Sequence, residues 1–236
     1  MENSDIGWGQ QDYEANKMVE MDRLGFIRKV YGILTAELFV TFLMCLVVFL
    51  SEDYQDWIQD NIWCFIIAAI GAIAIILVLF CFKKVCRMVP INYILLFAFS
   101  ILEGFTLSVF VSYYDPTEVL IAVTLTFGLT FVLTAYAITT KTDFSAKIGY
   151  ILVISIAVSA LAILLIFFSS NIVLWIVCPI IIACYGIFII YDTQLIVGGK
   201  RYQLSSEDYI LGSVILYIDI IGLFQYILLL IGGERR

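Results

Sequence analysis

IWCFIIAAIGAIAIILVLFCF, residues 62–82, runs for 21 residues without a single charge. An α-helix rises about 1.5 Å per residue, so a run of this length covers about 30 Å, the hydrocarbon thickness of a bilayer. A strand of a membrane barrel would alternate apolar and polar positions over about ten residues. Nothing alternates here, so the stretch reads as a transmembrane helix. Six further runs share its length and character: Ile27–Leu50, Pro90–Ser112, Thr117–Thr139, Lys147–Phe168, Asn171–Tyr191 and Tyr209–Ile231. The connections between them are short, which favours antiparallel neighbours in one bundle. The expected fold class is all-α, a polytopic integral membrane protein built as a seven-transmembrane-helix bundle. A polar tail over residues 1–26 precedes the bundle at 27–231, and a short tail over 232–236 follows it.

Local signals agree with these limits. Pro90 and Pro116 sit at helix starts, where a missing N–H costs least. Ser205 and Asp208 have the spacing of a capping box ahead of the last run. Gly198-Gly199 and Gly232-Gly233 suit helix stops.

Composition points the same way. Of 236 residues, 63% are hydrophobic and 14% charged, with a mean hydropathy of +1.04. Soluble domains carry roughly 25% charged residues. Twenty acids against 13 bases, a net charge of −7, argue against a nucleic-acid partner. The chain has no histidine. That removes Ser-His and Cys-His nucleophiles and His-bound zinc or haem, and no cofactor is expected. All six cysteines lie in or beside apolar runs and read as buried free thiols rather than a disulfide framework. Residues 1–26 carry six acids and lack the basic-then-apolar pattern of a signal peptide.

Lys and Arg set topology. Lys17, Arg23, Arg28 and Lys29 lie before or within the first turn of run one. Lys83, Lys84 and Arg87 lie between runs two and three, Lys141 and Lys147 between four and five, and Lys200 and Arg201 between six and seven. The alternate connections carry acids instead: Glu52, Asp53, Asp56 and Asp60, then Asp115 and Glu118. The amino terminus is expected in the cytosol. Seven crossings leave Arg235 and Arg236 on the far side, whereas a re-entrant last segment would keep every base cytosolic. The length of Tyr209–Ile231 favours seven crossings.

The chemical signal is acid without base. Glu37, Glu103 and Asp219 lie near the middles of runs one, three and seven, and Asp192 at the end of run six. The span interiors hold no Lys or Arg. An ionised carboxylate at a helix centre costs about 2.5–3.5 kcal/mol. The last run offsets this with fifteen Ile, Leu, Val and Phe residues, each returning about 0.3–0.6 kcal/mol. An acid in such a place must be protonated, share a proton or bind a cation. A neutral Glu that simply hydrogen-bonds a neighbouring helix is the plain alternative for Glu37 and Glu103. Asp192 and Asp219 lie on consecutive helices and read as a proton-sharing pair. Gly212, Asp219, Gly222 and Tyr226 share one face of the last helix, and the small residues point that face inward. Ca²⁺, which prefers oxygen ligands, would be attracted transiently when the pair ionises, with no permanent metal.

FIRKVYGILTAE (26–37), LLFAFSILEGFTLSV (95–109), KTDFS (141–145), IIYDTQLI (189–196) and SSEDYILGSVILYIDIIGLF (205–224) together resemble the transmembrane Bax inhibitor motif family in its lifeguard branch. The resemblance implies a seven-helix protein of Golgi or endoplasmic reticulum membranes. It implies a pH-dependent calcium leak that dampens apoptosis, with Ca²⁺ as permeant ion and other membrane proteins of apoptosis or calcium release as partners. It puts a di-aspartyl pH sensor on Asp192 and Asp219, and ion-path acids on Glu207 and Asp219, with Glu103 as a further candidate. A basic latch on that sensor falls among Lys83, Lys84 and Arg87. Glu207 also has a plain electrostatic role at a helix N-terminus.

A non-conducting interaction protein is the main rival reading. An intramembrane aspartyl protease is weaker: Tyr191-Asp192 fits its first motif, but Tyr217-Ile218-Asp219 replaces Gly-x-Gly-Asp, and Pro-Ala-Leu is absent. A ceramidase-type hydrolase would need zinc-binding histidines. The expectation is a non-enzymatic, pH-sensitive cation leak.

Overall fold

The computed structural model describes residues 4–167 and 171–233. Nine α-helices occur among them: α1 Ser4–Leu50, α2 Glu52–Asp60, α3 Ile62–Cys81, α4 Lys83–Arg87, α5 Ile91–Val111, α6 Pro116–Thr139, α7 Ile148–Phe167, α8 Asn171–Val197 and α9 Tyr209–Gly232. A 3₁₀ turn at Ser145–Lys147 precedes α7. Seven of these helices are long and apolar enough to cross a membrane: α1 from Glu20 onward, α3, α5, α6, α7, α8 and α9. The fold is a seven-transmembrane-helix bundle, and the chain is an integral membrane protein.

α9 is the central post, packed against α1, α5, α6 and α8. Its sequence explains the placing. Gly212 approaches Val30 of α1, and Gly222 lies against the ring of Tyr185 on α8, so small residues admit neighbours on two sides. Gly212, Asp219 and Gly222 are buried, as their shared face predicts. α3 lies outside α5, and α7 packs on α8. α9 is unbroken over 24 residues, about 36 Å of rise. It crosses rather than turns back; Arg235 and Arg236 lie outside the described residues.

Three expectations change. α1 starts far ahead of Ile27, because the polar stretch before it is helical as well. α8 continues six residues beyond Tyr191, so Asp192 lies within the helix rather than at its end. Polar DTQ reads as an exit from the membrane, yet these side chains are used inside the protein. The capping box at Ser205–Asp208 does not form. Asp208 is the N-cap residue of α9 without a side-chain cap bond, since its carboxylate is drawn to Arg87 instead. A capping box does occur at Asp115–Glu118 on α6. Gly198 and Gly199 end α8 at φ of 76° and 72°, backbone that favours glycine. All six cysteines are free thiols.

Candidate functional site

The bundle has a basic end and an acidic end. At the basic end the start of α1 meets three connections. Arg23 lies over the Phe26 ring and donates to the carbonyls of Leu195 (2.7 Å), Val197 (3.1 Å) and Leu204 (2.7 Å). The final carbonyls of a helix have no partner within it, so one guanidinium caps α8 and pins the following loop to α1. Gln194, two turns after Ile187, bridges to the α6–α7 connection. Its amide donates to Ala137 O and Thr142 O, and its carbonyl accepts from Phe144 N at 2.8 Å. Asp143 accepts from Ser145 Oγ (2.6 Å), Ala146 N and Arg201 N. The Ser145 hydroxyl, aided by those amides, holds the Asp143 carboxyl below the usual carboxylate range. Lys200 donates to Thr140 O at 3.0 Å. The KTDFS and IIYDTQ blocks therefore work together as a structural clamp.

Arg87, on α4, faces the start of α9. Its Nη1 lies 2.6 Å from Glu207 and its Nε 2.8 Å from Asp208. The hydrogen bond to Asp208 raises the Arg87 pKa. Burial, then nearby Asp208, pushes the neighbouring Cys86 thiol up. Among Lys83, Lys84 and Arg87, the base that forms an ion pair is Arg87, and its partners are Glu207 and Asp208. No described base forms an ion pair with Asp192 or Asp219. A latch bonded directly to the aspartate pair is thus not the arrangement seen. Arg87 is held about three helical turns from Asp219, because α9 rises about 16 Å between residues 208 and 219. Glu207 is exposed at the basic end, as an acid at a mouth would be.

Deeper inside, Asp192 of α8 and Asp219 of α9 meet at hydrogen-bonding range. Asp219 is 6% exposed, and its Oδ2 has no hydrogen-bond partner. Two carboxyl groups hydrogen-bond only if a proton lies between them, so this is a contact that a shared proton would stabilise. Tyr185 stands near both Asp219 and Glu103, with its ring stacked on Tyr226 at 5.8 Å. Glu103 is half-buried on α5 and also neighbours Tyr217. Tyr217 is fully buried, edge-on to Phe99, with its hydroxyl 2.7 Å from Thr41 Oγ1. No group of three or more acids, cysteines or histidines that could hold a metal occurs among the described residues.

The structure thus brings Asp192 to Asp219, and Arg87 to Glu207. It leaves Lys83 and Lys84 exposed. Sequence reasoning counted Arg23 only as a topology charge and passed over Gln194 and Asp143. The signal for Gln194 and Asp143 lay in the quoted blocks, as polar residues beside apolar runs; Arg23 lies outside them.

Residues 23–236 match the family described as Inhibitor of apoptosis-promoting Bax1. Similar proteins include Protein lifeguard 3 of Homo sapiens, 30% identical over 216 residues, covering 89% of this chain and 69% of that protein. Protein lifeguard 3 of Mus musculus is 28% identical over 216 residues, covering 90% and 70%. Bax inhibitor 1 of Schizosaccharomyces pombe is 34% identical over 218 residues, covering 89% and 77%. With seven membrane-crossing helices and a match over nearly its whole length, the chain belongs to the Bax inhibitor family, whose lifeguard proteins it resembles throughout the bundle.

Proposed function

We propose that this protein is a pH-sensitive calcium leak of Golgi or endoplasmic reticulum membranes that lowers store calcium and inhibits apoptosis. One observation carries the reading: Asp192 and Asp219 meet inside the bundle with no base paired to either. With a proton between them, the pair ties α8 to α9. Loss of that proton would set two like charges side by side. At about 4 Å and an effective dielectric near 20, their repulsion is about 4 kcal/mol. That is enough to shift a helix contact and to attract a cation from either side. Glu207 at the basic end would meet the ion, and Glu103 would lie further along its path. Arg87, paired with Glu207, would close the mouth rather than hold the aspartates.

The basic end supports a cytosolic amino terminus. The apoptotic part of the reading rests on the family, whose description names inhibition of apoptosis-promoting Bax1. That wording names a protein target and no ion. It favours, as a second reading, a non-conducting membrane protein that binds a death-pathway or calcium-release partner. Either way the role is non-enzymatic.

The test is calcium flux into liposomes holding the purified protein, compared with empty liposomes across mildly acidic to mildly alkaline pH. A pH-dependent flux that disappears from the profile in Asp192→Asn, Asp219→Asn supports the leak. Flux no greater than that of empty liposomes at every pH transfers the weight to the non-conducting reading.

A further inference from the structure

Glu37 lies on α1, one helical turn before Thr41, where α1 crosses α5 at Gly104. It is 3% exposed, and neither carboxyl oxygen has a hydrogen-bond partner. Its polar neighbours are Ser100 of α5 and Ser213 of α9, both in reach of the carboxyl. A hydroxyl has one proton and two lone pairs. Ser100 Oγ already donates its proton to Leu96 O at 3.0 Å, and Ser213 Oγ to Ile210 O at 2.9 Å. Thr41 Oγ1 donates to the Glu37 carbonyl at 3.0 Å. The Tyr217 hydroxyl lies 2.7 Å from Thr41 Oγ1, and either can be the donor there. Each of these hydroxyls also has a carbonyl or hydroxyl of its own to bond, so none is reserved for the Glu37 carboxyl, which is buried without a base beside it.

Two arrangements would relieve this: a base, or a proton on Glu37 itself. No described Lys or Arg pairs with Glu37, and no described acid cluster could hold a metal. Tyr217 of α9 lies near Glu37, and Glu103 of α5 and Cys45 of α1 lie near that same tyrosine. None brings a positive charge. A proton is also the only cation that needs no added room in this packed contact. A protonated Glu37 could donate to Ser100 Oγ or Ser213 Oγ, whose oxygens can also accept.

We infer that Glu37 is a second proton-binding site of the bundle, separate from the aspartate pair. Its proton is the hydrogen bond that joins α1 to α5 or α9. The inference does not require conduction, so it stands or falls apart from the leak.

The experiment is infrared difference spectroscopy at neutral pH on wild type and Glu37→Gln, each in lipid nanodiscs. The expected result is a protonated-carboxyl C=O stretch present in wild type and missing in the variant. The same stretch should persist in Asp192→Asn, Asp219→Asn. The glutamine amide is a neutral donor of the same shape, so Glu37→Gln should fold and keep a thermal midpoint at or above that of wild type. Loss of a carboxylate stretch in place of the acid stretch would overturn the inference. So would disappearance of the acid stretch in the double aspartate variant, or failure of Glu37→Gln to fold.

Discussion

Two groups of acids on α9 and its neighbours are handled in opposite ways. At the basic end, Glu207 and Asp208 share Arg87. About three turns deeper, Asp219 meets Asp192, another acid, with no base among the partners. Asp208 is as buried as Asp219, but its partner Arg87 and neighbour Glu207 reach the surface. Where water reaches, a charge is held cheaply, and a base can be brought in from there. Inside the bundle an ionised group loses its hydration, and adding a base would bury a second charge at further cost. On the proposed reading a shared proton removes the charge instead, so that the inner acids act as hydrogen-bonding groups while those at the end are held by a base.

Four substitutions break or sharpen this contrast. The largest effect belongs to Gly222→Leu. A side chain there would occupy the place of the Tyr185 ring and push α8 from α9 at the level of Asp219. Overpacking of this kind destabilises by about 3 kcal/mol, read as a lowered thermal midpoint in nanodiscs together with an altered flux profile. Arg23→Ala comes next. It strips donors from three backbone carbonyls at the end of α8. An acceptor left unsatisfied costs about 1–3 kcal/mol, and partial exposure places this variant near 2 kcal/mol. Proteolysis in the segment 198–208 should rise with it.

Arg87→Gln should cost about 1 kcal/mol: the exposed Glu207 contact contributes little and is screened by salt, while buried Asp208 loses its charge partner. High ionic strength should shrink its difference from wild type, whereas that of Arg23→Ala should remain. A salt-insensitive loss in Arg87→Gln would mean that the two acid groups are not handled differently after all. The smallest effect is at Asp143. Its carboxyl lies below its ordinary range, so its contribution is complete at neutral pH and is lost as pH falls through that lowered value. Asp143→Asn should speed amide exchange at Ala146 and Arg201 at neutral pH. Acidified wild type should approach the variant.

The seven spans were legible because each is a long run with no internal base, and such runs leave few alternatives. The inward face of α9 could be read from the spacing of Gly212, Asp219 and Gly222. The pairing of Asp192 with Asp219 could be read from consecutive helices and a short loop. What escaped was polar structure that looks like a boundary. Asp192, Thr193 and Gln194 resemble the end of a span, yet Arg23, more than 170 residues earlier, caps the helix beyond them. Hydropathy cannot register a cap supplied from so distant a part of the chain. Glu37 was legible as an acid out of place, but its chemistry depends on which side chains of α5 and α9 are packed against it, and only coordinates reveal that.

The central claim is that Asp192 and Asp219 act as one proton-sharing unit. It is tested most directly by calcium flux against pH for Asp192→Asn and Asp219→Asn separately, beside wild type and Arg87→Gln. With either half replaced, the remaining carboxyl titrates alone and the coupled step is lost. The account predicts that both single variants lose the pH dependence of wild type to the same degree, while Arg87→Gln keeps it. A pH profile that survives in either aspartate variant would contradict the account.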